Sequence, residues 1–347
     1  MTKARAAKKL AQAAAFGGGG LGLIGATLYG VLTAEARYAK HLIGPMKAHP
    51  AKGDGLYGRY PGRPITLAMI GDSSAAGYGT SSPDQTPGVL LACGLAELAK
   101  RPVRLIDVSR TGAKSIDLAG QVDNALLAGP HVAAILIGVN DVKAQVPPST
   151  SVRLLDQAVR RLRAANCEVV VGTCPDLGVV RPIMPPLRQV ARSWSQRLAA
   201  AQTISVVEAG GRTVSMGSLL SEAFRTNPSM WGPDNFHPSV TGYAAAAAAL
   251  LPSVAASVGV GPESFVHPES FRGEAVLPIA EAAVQAVRTA GTEVAAAKVA
   301  GNDRGPRGRW AQLRHRRRHP EVEVERVDED QVQEGSPDAT GAVPVGK

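Results

Sequence analysis

The sequence predicts an α/β protein built on a parallel sheet with helices on both faces. Three observations carry this. From residue 65 onward, apolar runs alternate with stretches of helical length and mixed polarity, the pattern of strand–helix–strand units. Runs such as VAAILI (132–137) are continuously apolar, as strands covered on both faces are. Polar clusters follow three of these runs immediately, where an open parallel sheet places its binding crevice.

The chain has 347 residues, 45% hydrophobic, 19% charged and only 4% aromatic. It is long enough to bury a large core, made mainly of Ala, Val, Leu and Ile. Lys3, Arg5, Lys8 and Lys9 precede an uncharged stretch, residues 10–34. That length spans a bilayer, and the upstream cations orient the N-terminus toward the cytoplasm. Residues 1–43 are therefore expected to be a basic segment and membrane anchor, with the remainder extracytoplasmic. Ala34-Glu35-Ala36 leaves open a cleaved signal peptide and a secreted product. Residues 44–64, rich in Pro, Gly and Lys, read as a linker.

Within the expected domain, residues 65–260, strands are predicted at Ile65–Ile70, Val103–Val108, Val132–Ile137, Val169–Thr173 and Ile204–Val207. Helices are predicted at Pro87–Ala99, Ser115–Ala128, Thr150–Ala165 and Pro186–Ala201. Residues 240–260 are uncharged, but alanine-rich and interrupted by Pro252, so they read as a final buried helix rather than a membrane span. Residues 261–347 are expected to be helical over 276–298 and then a disordered tail of mixed charge. Seven arginines of that tail lie between Arg304 and Arg318. The net charge of +9 is thus concentrated at the two ends, and no nucleic-acid partner is expected. Cys167 and Cys174 bracket an extended segment of roughly 23 Å, against a limit of about 7 Å between bridged Cα atoms. With Cys93 they are expected to be three separate thiols.

Four clusters carry the chemistry: GDSSAAG (71–77), SRTGAKS (109–115), GVND (138–141) and DNFHP (234–238). Singly, each is explained by helix capping or a turn. Together they hold the parts for acyl transfer. Ser73 needs a base to become a nucleophile, and His237 can take its proton and pass it to the leaving alcohol. Asp234, three residues earlier, can orient the imidazole if one helical turn separates them. The Ser73 and Gly112 N–H groups and the Asn140 amide can stabilise the oxyanion.

Other readings of the glycine-rich turn fail on spacing. From Gly71 the sixth position is Ala76, and Tyr78 stands where a P-loop needs lysine. Gly77-Tyr78-Gly79 lacks the third glycine of a dinucleotide fingerprint. Ala75 replaces the last glycine of a GxSxG elbow. Asp234 and His237 lack further metal ligands at recognisable spacing.

The four clusters, in this order, resemble the SGNH, or GDSL, hydrolase family, over about residues 65–256. Ser73, Gly112, Asn140 and His237 match the four residues that name it, and Asp234 matches the third triad member. Ser74 stands where the family name has leucine. The resemblance implies a flavodoxin-like three-layer α/β/α sandwich with a five-stranded parallel sheet, order 2-1-3-4-5. It implies a serine esterase without metal or cofactor. An exported domain points to acyl or acetyl esters of small molecules, glycolipids or polysaccharides of the envelope. An acyltransferase using the same residues, and a non-catalytic envelope-binding protein, are the alternatives. The segment TCPDLGVVRPIMPP (173–186) is expected to form a stiff substrate-facing wall.

Overall fold

The structure is a computed structural model that describes residues 19–44, 50–260, 276–289, 291–299, 302–304 and 310–315. Its N-terminal portion contains helix α1 (Gly19–Ile43) and the short strand β1 (Gly55–Tyr57). Strand β2 (Ile65–Gly71) leads through the single turn α2 (Ser73–Ala76) to helix α3 (Pro87–Ala99). Strand β3 (Val103–Asp107) is followed by α4 (Leu118–Leu126), and β4 (Val132–Leu136) by α5 (Val139–Lys143) and α6 (Pro148–Ala164). Strand β5 (Glu168–Gly172) precedes the long helix α7 (Leu187–Glu208), then β6 (Arg212–Val214), α8 (Met216–Thr226) and α9 (Val240–Ser257). The C-terminal part adds β7 (Val276–Pro278), α10 (Ile279–Arg288), β8 (Thr292–Val299), β9 (Asn302–Arg304) and β10 (Trp310–His315).

Alternation of side chains along each strand divides the core into two. From β2, Leu67 and Met69 pack with Val89, Leu91 and Leu95 of α3 and Leu250 of α9. Ala68 and Ile70 pack on the other face with Leu118 of α4 and Leu155 of α6. Both layers are dominated by small aliphatic residues, as the composition requires.

The parallel strands lie in the order β3-β2-β4-β5-β6. The expectation of a five-stranded, wholly parallel sheet needs correction. Among the described residues the sheet is mixed and has ten strands, with β1 antiparallel at one edge and β8, β10 and β7 continuing beyond β6. β9 pairs with β8 off this path.

Three further corrections follow. Ile204–Val207 is not a strand: it continues α7, and the strand lies at Arg212–Val214. Val206 and Val207 are fully buried helical positions, so packing overrides their β-branched preference. The expected linker 44–64 contributes β1, which pairs with β3. The C-terminal portion is not wholly helix and tail. Ile279–Arg288 is helical, but EVAAAKV lies in β8 because β6 and β10 offer it backbone partners. The rest of that segment beyond His315 lies outside the described residues.

Residues 10–18 of the uncharged N-terminal stretch also lie outside them. Among the described residues, the helix long and apolar enough to cross a membrane is Val240–Ser257, and 61% of it is buried. It is a core helix. Cys93, Cys167 and Cys174 are all free thiols.

Candidate active site

The first cluster forms at the carboxyl end of β2. Gly71 has φ 141°, and a Cβ there would lie 1.9 Å from the Leu136 carbonyl oxygen, so only glycine lets β2 approach β4 this closely. The Gln121 amide grips Gly71 from the side, accepting from its N–H at 2.7 Å and donating to its carbonyl at 2.9 Å. Asp72 caps the turn, its Oδ1 accepting from the Ser74 N–H at 2.8 Å. This leaves Ser73 as the first residue of α2, buried but facing a cavity.

The fourth cluster lies in the loop before α9. The loop is pinned at its base, where the Gly232 N–H donates to the His237 carbonyl at 2.8 Å and the Ser239 N–H to the Met230 carbonyl at 2.9 Å. Asp234 Oδ1 accepts from the Phe236 and His237 N–H groups at 3.0 and 2.9 Å. Its Oδ2 lies 2.6 Å from His237 Nδ1, and His237 Nε2 lies 3.2 Å from Ser73 Oγ. Asp234 and His237 are thus joined by a tight loop with Asn235 at φ 52°, not by a helical turn as the spacing suggested.

The second and third clusters meet at the same edge. The Arg110 N–H donates to the Gly71 carbonyl at 3.0 Å, tying the loop of Gly112 (φ 82°) to the serine turn. Asn140 Nδ2 donates to the Ala113 carbonyl at 3.0 Å. One amide hydrogen is so engaged, and the second is left over. The neighbouring Asp141 is buried and accepts from the Ser115 N–H and the Ser115 and Ser151 hydroxyls. The structure therefore joins Ser73, His237 and Asp234 in one line of polar contacts. It connects Gly112 and Asn140 to that line through their loops.

Electrostatics differ sharply between the two aspartates. Burial alone would raise the Asp234 carboxyl. The bonds from the His237 ring and the two backbone N–H groups outweigh it and hold its pKa below the ordinary value. Asp72 is pushed up to about 7, chiefly by burial, and its Oδ2 has no hydrogen-bond partner.

Several site residues are invisible in the motifs. The Tyr78 ring lies 4.4 Å from the His237 ring, and Tyr243 donates to the Tyr78 carbonyl at 2.8 Å. Gln121 sits in the middle of α4, 50 residues along the chain from the glycine it holds. Of these residues, only Tyr78 adjoins one of the four clusters, directly after GDSSAAG.

Beside Ser73 and His237 opens a cavity of about 100 Å³. Its walls are largely apolar: Leu136, Val180, Met216, Leu220, Phe224 and Trp231. Residues of the expected wall segment, including Pro175, Leu177 and Val179, line it too. The Ser195 hydroxyl accepts the Leu177 N–H at 3.1 Å, and the Glu35 carboxylate of α1 accepts the Leu187 N–H at 2.9 Å. Among the described residues no cluster of His, Cys, Asp or Glu is suited to hold a metal ion.

Residues 69–245 match the GDSL-like Lipase/Acylhydrolase family. The chain is 40% identical over 255 residues to the GDSL-like esterase Rv1075c of Mycobacterium tuberculosis, covering 70% of this chain and 81% of that protein. Solved structures that the chain matches include LAE5, an alpha/beta hydrolase enzyme from a Lake Arreo metagenome. It has a TM-score of 0.46 and 22% identity, over 56% of this chain and 95% of that one. Another is Axe2, an acetylxylan esterase from Geobacillus stearothermophilus, with a TM-score of 0.43 and 20% identity, over 54% of this chain and 92% of that one. The family match spans the serine turn, the Gly112 and Asn140 loops and the Asp234–His237 loop together, and on this ground the chain belongs to the GDSL-like lipase/acylhydrolase family and is a carboxylic-ester hydrolase.

Proposed function

We propose that the chain hydrolyses esters of short acyl groups through Ser73, His237 and Asp234. The observation that carries this is the line of contacts from Asp234 Oδ2 through His237 to Ser73 Oγ. In this reading His237 Nε2 accepts the Ser73 proton as Oγ bonds to the acyl carbon. Asp234 stabilises the resulting imidazolium and fixes its tautomer. The oxyanion is met by the Ser73 and Gly112 N–H groups and the free hydrogen of the Asn140 amide. His237 then returns the proton to the departing alcohol. Water, deprotonated by His237, attacks the acyl-serine, releasing the acid and restoring the Ser73 hydroxyl.

The cavity supports a limit on acyl size. Its volume of about 100 Å³ is smaller than the about 150 Å³ that admits benzene in an engineered protein cavity. Acetyl to roughly butyryl groups fit this space. The full chain should therefore turn over p-nitrophenyl acetate and butyrate well and octanoate poorly. Equal or better turnover of octanoate would reject the size limit.

We also propose that residues 10–34 anchor the chain and that the domain works outside the cytoplasm on envelope or exported esters of small molecules or polysaccharides. The uncharged stretch and the exposed Leu28, Tyr29 and Val31 of α1 support this. Protease accessibility of the domain in intact cells tests it; full protection there with digestion after lysis would place the domain inside.

A further inference from the structure

Helix α5 brings two functional positions to the site. Asn140 and Lys143 are three residues apart, a spacing that puts both on one helix face. Lys143 Nζ lies 5.8 Å from the centre of the Phe236 ring. That ring packs edge-on against the His237 imidazole, with centroids 4.9 Å apart, and also lines the cavity. A cation therefore stands two contacts away from the base, at the rim.

A second cation comes from α1. Glu35 ties this helix to the start of α7 through the Leu187 N–H, and Ala39 is buried one turn later. Lys40 follows, exposed. Partial loss of water around the Lys143 side chain, and then the charge of Lys40, hold its ammonium below the ordinary lysine range. The carboxylates of α1, of α5, of the Asp234 loop and of the cavity wall are already engaged. Glu35 is taken by Leu187, Asp234 by His237, Asp141 by Ser115 and Ser151, and Asp176 by Arg192. Among the described residues, neither Lys40 nor Lys143 forms an ion pair with an acidic side chain.

An ammonium that has lost part of its water and has no carboxylate paired with it is stabilised when an anion joins it. The cavity is apolar and takes the acyl group, so the polar part of an ester is left at the rim, beside Phe236. We propose that Lys143 is an anion subsite that receives a carboxylate or phosphate on the alcohol portion of the substrate. This rests on the esterase reading for the identity of the ligand, but not for the existence of the subsite. Lys143 is solvent-accessible, so a ligand can reach it, and its substitution leaves the core intact.

The test uses the full chain with phenyl butyrate and 4-carboxyphenyl butyrate. The readout is the ratio of kcat/KM for the charged to the neutral ester in each variant, which cancels differences in leaving-group reactivity. Lys143→Gln should lower this ratio by about tenfold, the scale of one charge-assisted contact. Lys143→Arg should retain most of it. Added salt should erode the preference of the unaltered chain. A ratio in Lys143→Gln within about twofold of the unaltered chain would overturn the proposal. Binding of 4-hydroxybenzoate, of 4-hydroxybenzamide and of inorganic phosphate is measured in parallel and needs no turnover. Selective weakening of 4-hydroxybenzoate in Lys143→Gln supports a carboxylate subsite, and selective weakening of phosphate a phosphate subsite. Equal binding of all three ligands by both chains counts against it. Absence of hydrolysis of either ester would instead reject the esterase reading, and the binding arm would still judge the subsite.

Discussion

His237 Nε2 stands 3.2 Å from Ser73 Oγ although 164 residues separate them. Two scaffolds, far apart in the chain, set this distance. Ser73 is held by the β2–α2 turn, locked by Gly71, Gln121 and Asp72. His237 is held by a loop whose backbone N–H groups converge on Asp234. The contact needs both, and each can be disturbed separately.

Asp234 separates orientation from scaffolding. Asp234→Asn keeps the Oδ1 acceptor for the Phe236 and His237 N–H groups but presents the wrong partner to Nδ1. It should lower kcat by about 10⁴-fold, the scale of such a change in serine hydrolases, with little change in melting temperature. Asp234→Ala should lower the melting temperature as well, because the loop N–H groups lose their acceptor. Equal melting temperatures for the two variants would contradict the scaffolding role.

Asn140→Ala removes a proposed oxyanion donor. It should reduce kcat by about 10²- to 10³-fold with KM for p-nitrophenyl butyrate nearly unchanged. A rise in KM alone would place Asn140 in ground-state binding instead.

Leu220 lines the cavity from α8. Leu220→Trp should fill it, so that kcat/KM for butyrate esters falls at least tenfold while that for acetate falls less. A uniform loss across chain lengths would mean that the acyl group lies elsewhere.

Asp72 should shape stability against pH. Its folded pKa, about 7, lies above the ordinary 3.8, so the folded protein holds this proton more tightly than the unfolded chain does. The stability it contributes is full at low pH and is lost as the pH rises through about 7. Asp107, raised to about 6 by burial, acts in the same direction. Asp72→Asn keeps the Oδ1 cap on Ser74 without the charge. Its melting temperature should gain on that of the unaltered chain between about pH 4 and about pH 7, the interval between the ordinary and the folded pKa. A constant difference across that window would contradict the assignment.

The C-terminal strands are part of the sheet. Val294 pairs with Thr213, and Val294, Ala311 and Ile279 pack with Val207 of α7. Ending the chain at Val260 bares the edge of β6 and this apolar cluster. The melting temperature should fall by about 5 °C or more, with increased aggregation. Unchanged melting would show that these strands do not stabilise the domain.

The sequence signals that succeeded were local ones. Gly-Asp-Ser after an apolar run, Asn140-Asp141 after another, and Asp234 to His237 before the last helix each announce a strand end or cap within a few residues. What escaped depends on partners remote in the chain. Ile204–Val207 has strand propensity but extends α7, because burying Val206 and Val207 as helical positions gains more. EVAAAKV has helix propensity but pairs between β6 and β10. Gln121 and Glu35 act through hydrogen bonds to Gly71 and Leu187, which no spacing rule connects.

The central claim is that Ser73 is the nucleophile activated by His237. The most direct measurement is labelling of the full chain with a fluorophosphonate, locating the adduct by peptide mass spectrometry and following p-nitrophenyl butyrate hydrolysis in parallel. A single adduct on the Ser73 peptide is expected, with hydrolysis lost in proportion to labelling. Labelling should be strongly slowed in His237→Ala and absent in Ser73→Ala. An adduct on another residue, or hydrolysis that persists in Ser73→Ala, would contradict the account.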